Sequence, residues 1–233
     1  MEKRRIQICG IPAVVWGAPA RDVIVAVHGL MSHKEDRPLE LLAAHAGRRG
    51  YQTISFDLPE HGERRDGPTR CKVQECIREL ALVAAYARAN WEKIGLFANS
   101  LGAYFSLMAY SRLPLQRVWF LAPLVDMRRM IESMMEWFQV PEERLRAEGE
   151  IPLPNGQTLY WDYYCYVKEH PVRTWEVPTE ILCGERDSVC GLDTVQMFAD
   201  RFGCRLETVS GAGHDFRAPE ALQAYEAWLE KVL

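Results

Sequence analysis

The 233-residue sequence contains no apolar run near the about 18–20 residues that a membrane-spanning helix needs, so a membrane span is not expected. Its basic opening, Lys3-Arg4-Arg5, is followed by no long apolar stretch; a secretory signal is not visible, and a cytoplasmic protein is expected. Neither charge dominates. The 28 Lys and Arg against 32 Asp and Glu leave a net charge of −4, which supplies no electrostatic reason to bind nucleic acid or an anionic lipid surface. The seven cysteines are odd in number and form no Cys-x-x-Cys pair. Cys71 and Cys76 at a predicted helix, and Cys183 and Cys190 around a loop, lack the spacing of a zinc site. They are expected to be small reduced thiols, with no metal and no organic cofactor.

What the sequence does have is hydrophobic residues, 48% of the total, enough for one well-buried core. Their periodicity alternates between strand and helix. Arg5–Cys9 and Ala13–Trp16 read as a short hairpin around Gly10-Ile11-Pro12. Val23–Val27 is a continuous apolar run, as in a strand buried on both faces. A helix starting at Pro38 stops at Gly50, and Thr53–Phe56 is the next strand. A helix over about 71–90 precedes the strand Ile94–Ala98, another helix, and the strand Arg117–Leu121. After an interruption of some fifty residues the pattern resumes with strand Thr179–Cys183, helix Leu192–Arg201, strand Arg205–Val209 and helix Pro219–Leu233. This alternation predicts a single α/β domain, a mostly parallel central sheet with helices on both faces, and chemistry at the carboxyl ends of the strands.

Three polar residues follow three of these strands in the order Ser100, Asp187, His214. A serine hydroxyl needs an imidazole to take its proton as it attacks a carbonyl, and a carboxylate on the second ring nitrogen fixes the tautomer. Ala98-Asn99-Ser100-Leu101-Gly102 forms a strand-to-helix turn with small residues flanking the serine. A sharp turn there brings two backbones together and leaves little room for side chains two positions either side. Asp126, after the strand Arg117–Leu121, is a rival for the acid. His28, at a strand end before Gly29, is a rival base, and His61 could shape the mouth of a site or stabilise a turn.

These segments resemble the α/β-hydrolase superfamily, in its esterase, lipase and serine aminopeptidase-like branches, over nearly the whole chain from His28-Gly29 onward. Ala98-Asn99-Ser100-Leu101-Gly102 is similar to the family's Gly-x-Ser-x-Gly elbow, with Ala98 in place of the first glycine. Asp57-x-x-x-His61-Gly62 is similar to a loop of those branches, with Glu60 where glycine is usual and Arg64 where serine is frequent. Gly184-Glu185-Arg186-Asp187 resembles the acid loop, and Gly211-Ala212-Gly213-His214 the histidine loop. The resemblance implies a serine carboxylesterase with catalytic Ser100, Asp187 and His214, and an oxyanion hole from the backbone N–H groups of Leu30 and Leu101. It also implies that His28 supports the oxyanion loop, that no metal is used, and that the partner is a small-molecule ester.

Residues 126–175 are expected to form a lid. Met127, Met130, Ile131, Met134, Trp137 and Phe138 recur at helical spacing. Pro154-Asn155-Gly156 suggests a turn between two short extended pieces, followed by the aromatic group Tyr160, Trp161, Tyr163, Tyr164 and Tyr166. These side chains can serve as the segment's own core or as the wall of an adaptable apolar pocket. Asn99 leaves open carbon–carbon bond hydrolysis, and Pro141-Glu142-Glu143 leaves open an amine subsite for an aminopeptidase. Acyl transfer and a non-catalytic ligand receptor are further alternatives.

Overall fold

The computed structural model describes residues 1–233. Strands β1 (Lys3–Ile8) and β2 (Ile11–Trp16) form a hairpin, followed by β3 (Asp22–Val27), helix α1 (Arg37–Arg48) and β4 (Tyr51–Phe56). Then come α2 (Val73–Asn90), β5 (Lys93–Asn99), α3 (Leu101–Tyr110) and β6 (Val118–Leu121). The intervening segment holds α4 (Met127–Trp137), α5 (Glu142–Glu148), β7 (Glu150–Pro152), β8 (Thr158–Tyr160) and α6 (Trp161–Glu169). β9 (Thr179–Gly184), α7 (Leu192–Phe202), β10 (Arg205–Val209) and α8 (Pro219–Val232) complete the chain. No helix is long and apolar enough to cross a membrane.

Eight strands form one sheet in the order β1-β2-β4-β3-β5-β6-β9-β10. β2 runs antiparallel to both its neighbours, and every other pairing is parallel. The alternation of side chains along β3 and β5 explains the two covered faces. Val23, Val25, Val27, Leu96 and Ala98 join one buried apolar cluster with α2, α3 and α7. Ile24, Ala26 and Phe97 face the other way and join α1 and α8 in a second cluster. The expected α/β-hydrolase architecture is therefore present, with each central strand apolar on both sides.

The hairpin turns one position earlier than the sequence suggests. Cys9 and Gly10 both take positive φ, 50° and 85°, the requirement of a two-residue type I′ turn, so Ile11 and Pro12 already belong to β2. Pro12 is tolerated because its carbonyl is the group in use, accepting the Asp57 N–H at 3.0 Å, and proline has no N–H to satisfy.

The segment between β6 and β9 is continuous with the main core. Met127, Ile131, Leu145, Ile151, Leu159 and Tyr163 belong to the same apolar cluster as α2 and α3. β7 and β8 pair antiparallel around the Pro154-Asn155-Gly156 turn, where Gly156 has φ 82° and Asn155 Oδ1 accepts the Gln157 N–H at 3.1 Å. Pro141-Glu142-Glu143 starts the helix α5.

Candidate active site

Ser100 lies between the end of β5 and the start of α3, with φ 48° and ψ −118°. A non-glycine residue in that region is strained by about 1–3 kcal/mol and persists only where its surroundings over-determine it. They do so here: the Ser100 N–H donates to Leu121 O at 3.0 Å, and its carbonyl accepts the N–H groups of Ala103 and Leu124, each at 3.0 Å. A Cβ on Gly102 would stand 2.5 Å from His28 O and 2.7 Å from Val27 O, so only glycine lets α3 approach β3 this closely. At Ala98 the methyl group is fully buried in the apolar cluster that packs α2 and α3 on the sheet.

Asp187 and His214 arrive on two loops in backbone contact. A Cβ on Gly184 would lie 2.3 Å from Gly213 O and 2.4 Å from Ala212 O. The Arg186 N–H donates to Ala212 O at 2.9 Å, and the Glu185 carboxylate accepts from Ser210 Oγ at 2.8 Å and Gly211 N at 3.0 Å. Between these clamps His214 Nδ1 donates to Asp187 Oδ2 at 2.8 Å, and Ser100 Oγ lies 2.8 Å from His214 Nε2. With Nδ1–H given to the carboxylate, Nε2 is the acceptor for the serine proton. Asp187 Oδ1 accepts the N–H groups of Val189 and Cys190, each at 2.9 Å. Burial alone would raise the Asp187 pKa, but the hydrogen bond and charge of His214, with the two backbone donors, hold it below the usual carboxylate value. Asp126 is elsewhere. It is exposed and caps α4, accepting the Arg129 N–H at 3.0 Å.

The other two histidines expected near the site make backbone contacts. His28 is fully buried; it accepts the Leu58 N–H on Nε2 at 3.0 Å, so its Nδ1–H donates to Gly29 O at 2.7 Å. Burial pulls its pKa down to about 4, which keeps the ring neutral. It fixes the strand end that leads to Leu30. His61 Nδ1 donates to Pro59 O at 2.8 Å, and the ring lines the cavity described below.

The departures at Glu60 and Arg64 have structural partners. Glu60 takes φ 62°, a conformation that suits glycine; its carboxylate accepts Arg70 Nη1 at 2.9 Å and Cys71 N at 2.7 Å. Arg64 donates to Asp57 O at 3.1 Å and forms a two-pronged pair with Glu79. The buried Asp57 itself accepts Lys34 Nζ at 2.6 Å, Lys34 N at 2.9 Å and Glu63 N at 3.0 Å. Neither Lys34 nor this arrangement could be found from the sequence, because residue 34 carries no motif.

Ser100 opens into a cavity of about 620 Å³. Leu30, Leu101 and Leu124 line it beside the serine, and Met127, Met130, Ile131, Met134, Leu159, Tyr160 and Tyr163 supply the apolar wall. Trp137 is exposed, and Trp161, Tyr164 and Tyr166 lie outside this lining. The Leu30 N–H donates to no protein acceptor, and the Leu101 N–H, first in α3, has no intrahelical acceptor. Asp187, Cys190 and His214 place one possible metal-ligand atom each within 4.8 Å of one another. Two of the three are already bonded together, and burial pushes the Cys190 thiol up, so no open ligand set is presented.

The sequence profile of the alpha/beta hydrolase family matches residues 24–228. Among curated proteins no sequence match was found. Among solved structures, Est1E of Butyrivibrio proteoclasticus with bound ferulic acid is similar with TM-score 0.78 at 16% identity, covering 98% of this chain and 96% of that one. Mouse alpha/beta hydrolase domain-containing protein 10 gives 0.77 at 14% identity, covering 100% and 98%. An esterase of Pyrococcus furiosus gives 0.70 at 16% identity, covering 99% and 88%. With an eight-stranded sheet in this order, a strained serine between β5 and α3, and a profile match over most of its length, the chain belongs to the alpha/beta hydrolase family.

Proposed function

We propose that the protein is a serine hydrolase that cleaves carboxylic esters of small to medium apolar or aromatic acyl groups through an acyl-enzyme. The observation that carries this reading is the hydrogen-bonded chain from Ser100 Oγ through His214 to Asp187, opening into an apolar cavity. His214 Nε2 takes the serine proton as Oγ attacks the ester carbonyl, and Asp187 holds the imidazolium that forms. The developing oxyanion is held by the Leu30 and Leu101 N–H groups, each worth about 3–4 kcal/mol in the transition state. The leaving alcohol departs with the proton from His214, and water repeats the sequence on the acyl-enzyme.

We read the chain as one domain in which residues 126–175 form a lid insertion. Its methionines can change rotamer to fit different acyl groups. The amine subsite of an aminopeptidase finds no support, since Glu142 binds Tyr164 and Lys168 at 3.2 Å each and lies outside the cavity. Asn99 is outside it too.

The test is hydrolysis of p-nitrophenyl acetate, butyrate and octanoate, with fluorophosphonate labelling, by wild type and Ser100→Ala. Turnover and labelling by wild type alone are expected, falling by about 10⁴-fold or more in the variant. Equal rates in both proteins, or no reaction in either, overturn the reading.

A further inference from the structure

The cavity above Ser100 is lined by a single Asp or Glu, Glu60, and by a single Lys or Arg, Arg65. Glu60 is satisfied within the protein, accepting Arg70 Nη1 at 2.9 Å and the Cys71 N–H at 2.7 Å. Arg65 is not. Arg64 beside it is held by Glu79 and Asp57 O, and Glu63 holds Lys34. Arg65 instead lines the cavity as an exposed side chain, with no carboxylate within ion-pair distance and no hydrogen bond from its guanidinium. Asp66, next in the chain, neither lines the cavity nor pairs with it.

Part of the uncharged polar lining is already in use. Ser32 Oγ donates to Asp36 at 2.6 Å, and the Gln157 carboxamide oxygen accepts Asn155 Nδ2 at 3.3 Å. The Gln157 NH2 group is left with no protein acceptor, and Gln157 lines the same cavity. The cavity therefore combines an unpaired guanidinium, a free amide donor and the apolar side chains of α4, and it holds no unpaired carboxylate. Such a set is complementary to a ligand with an apolar body and an anionic end.

We propose that Arg65 is a specificity residue for esters whose acyl chain carries a carboxylate at its far end, an inference that rests on the ester reading of Ser100. The planar guanidinium fork can donate two parallel N–H groups to one carboxylate, and Gln157 supplies a further donor. In the free protein water screens Arg65; an acyl chain that fills the apolar part of the cavity displaces water and strengthens the pair. The attraction is local, because the chain as a whole carries a net charge of −4 and has no general affinity for anions. Glu60 does not cancel it, since Arg70 already faces that carboxylate. A surface arginine present only for solubility would leave the choice between charged and neutral acyl chains unaffected.

The experiment compares p-nitrophenol release from mono-p-nitrophenyl suberate and from its methyl ester, which differ only in the charge at the far end. Wild type is expected to favour the acid by about fivefold in kcat/KM, the upper range for a pair open to solvent. Arg65→Gln is expected to abolish that ratio, Arg65→Lys to keep part of it, and Arg65→Glu to invert it. Raising salt to about 0.5 M should shrink the wild-type ratio, which a purely structural role would not do. An equal rate on both esters in wild type overturns the proposal, as does a ratio undiminished in Arg65→Gln. Binding without turnover is read separately, by calorimetric titration of N-phenylsuberamic acid and its methyl ester into Ser100→Ala. Tighter binding of the acid, lost when Arg65→Gln is added, supports the carboxylate site even if no ester is cleaved; equal binding of the two overturns it.

Discussion

Two pairs of neighbouring strands each deliver one histidine and one buried aspartate to the same edge of the sheet. β3 and β4 end in His28 and Asp57; β9 and β10 lead to Asp187 and His214. In the second pair the two side chains bond to each other and the imidazole reaches Ser100. In the first pair they do not meet: Asp57 binds Lys34, and His28 is closed off by two backbone groups. Residue type and position after a strand are therefore shared by a structural site and the candidate reactive one. What separates them is the partner: a fixed cation and backbone groups on one side, a titratable ring open to a hydroxyl on the other.

The comparison is broken most sharply by removing each carboxylate. Asp187→Asn is expected to lower kcat/KM on p-nitrophenyl butyrate by about 10⁴-fold, because the imidazole loses the partner that fixes its tautomer. Asp57→Ala is expected to do the reverse, leaving turnover per folded molecule near wild type while costing about 3–5 kcal/mol of stability by urea unfolding. The loss arises because the Lys34 ammonium, 5% exposed, keeps only Glu63 as its counter-ion. If Asp57→Ala abolished turnover with unchanged stability, the distinction drawn between the two pairs would fail.

A smaller effect sharpens the contrast between the histidines. Burial lowers the His28 pKa from 6.5 to about 4, so the unfolded chain takes up a proton that the folded chain refuses. Its contribution to stability is full above about pH 6.5 and is lost as pH falls toward about 4, amounting to about 3 kcal/mol. His28→Gln should flatten the urea midpoint over that interval. Asp57 and Asp187 have folded pKa values held below 3.8, so their contributions persist there and fade only as pH falls through those lower values. A wild-type midpoint that is level from pH 6.5 to 4.5 would contradict the neutral, buried state of His28.

Much of this was legible in the sequence. The apolar runs of β3 and β5 carry the parallel sheet, and the order Ser100, Asp187, His214 places three groups at its carboxyl edge. Gly102 declares the close passage of α3 over β3. The hairpin turn is not legible in the sequence, because Cys9 accepts a positive φ that sequence rules assign to Asn, Asp or Gly. Lys34 was invisible because its role depends on Asp57, brought near only when β3 and β4 pair. The same holds for Tyr163 and for the choice among the methionines of α4: helical spacing identifies a face, but only the folded chain decides what it covers. Asp126 and Asp187 were rivals on paper because both follow strands. Their separation depends on where the histidine loop lands, which is a long-range property.

Gly184 sets how closely two loops of the sheet edge can pack. Its missing side chain lets the loops carrying Asp187 and His214 touch main chain to main chain. The spacing between Asp187 and His214 is thereby gauged by peptide groups, which mutation of neighbouring side chains leaves in place. The distance between the two loops is set by one hydrogen atom where most residues have a carbon.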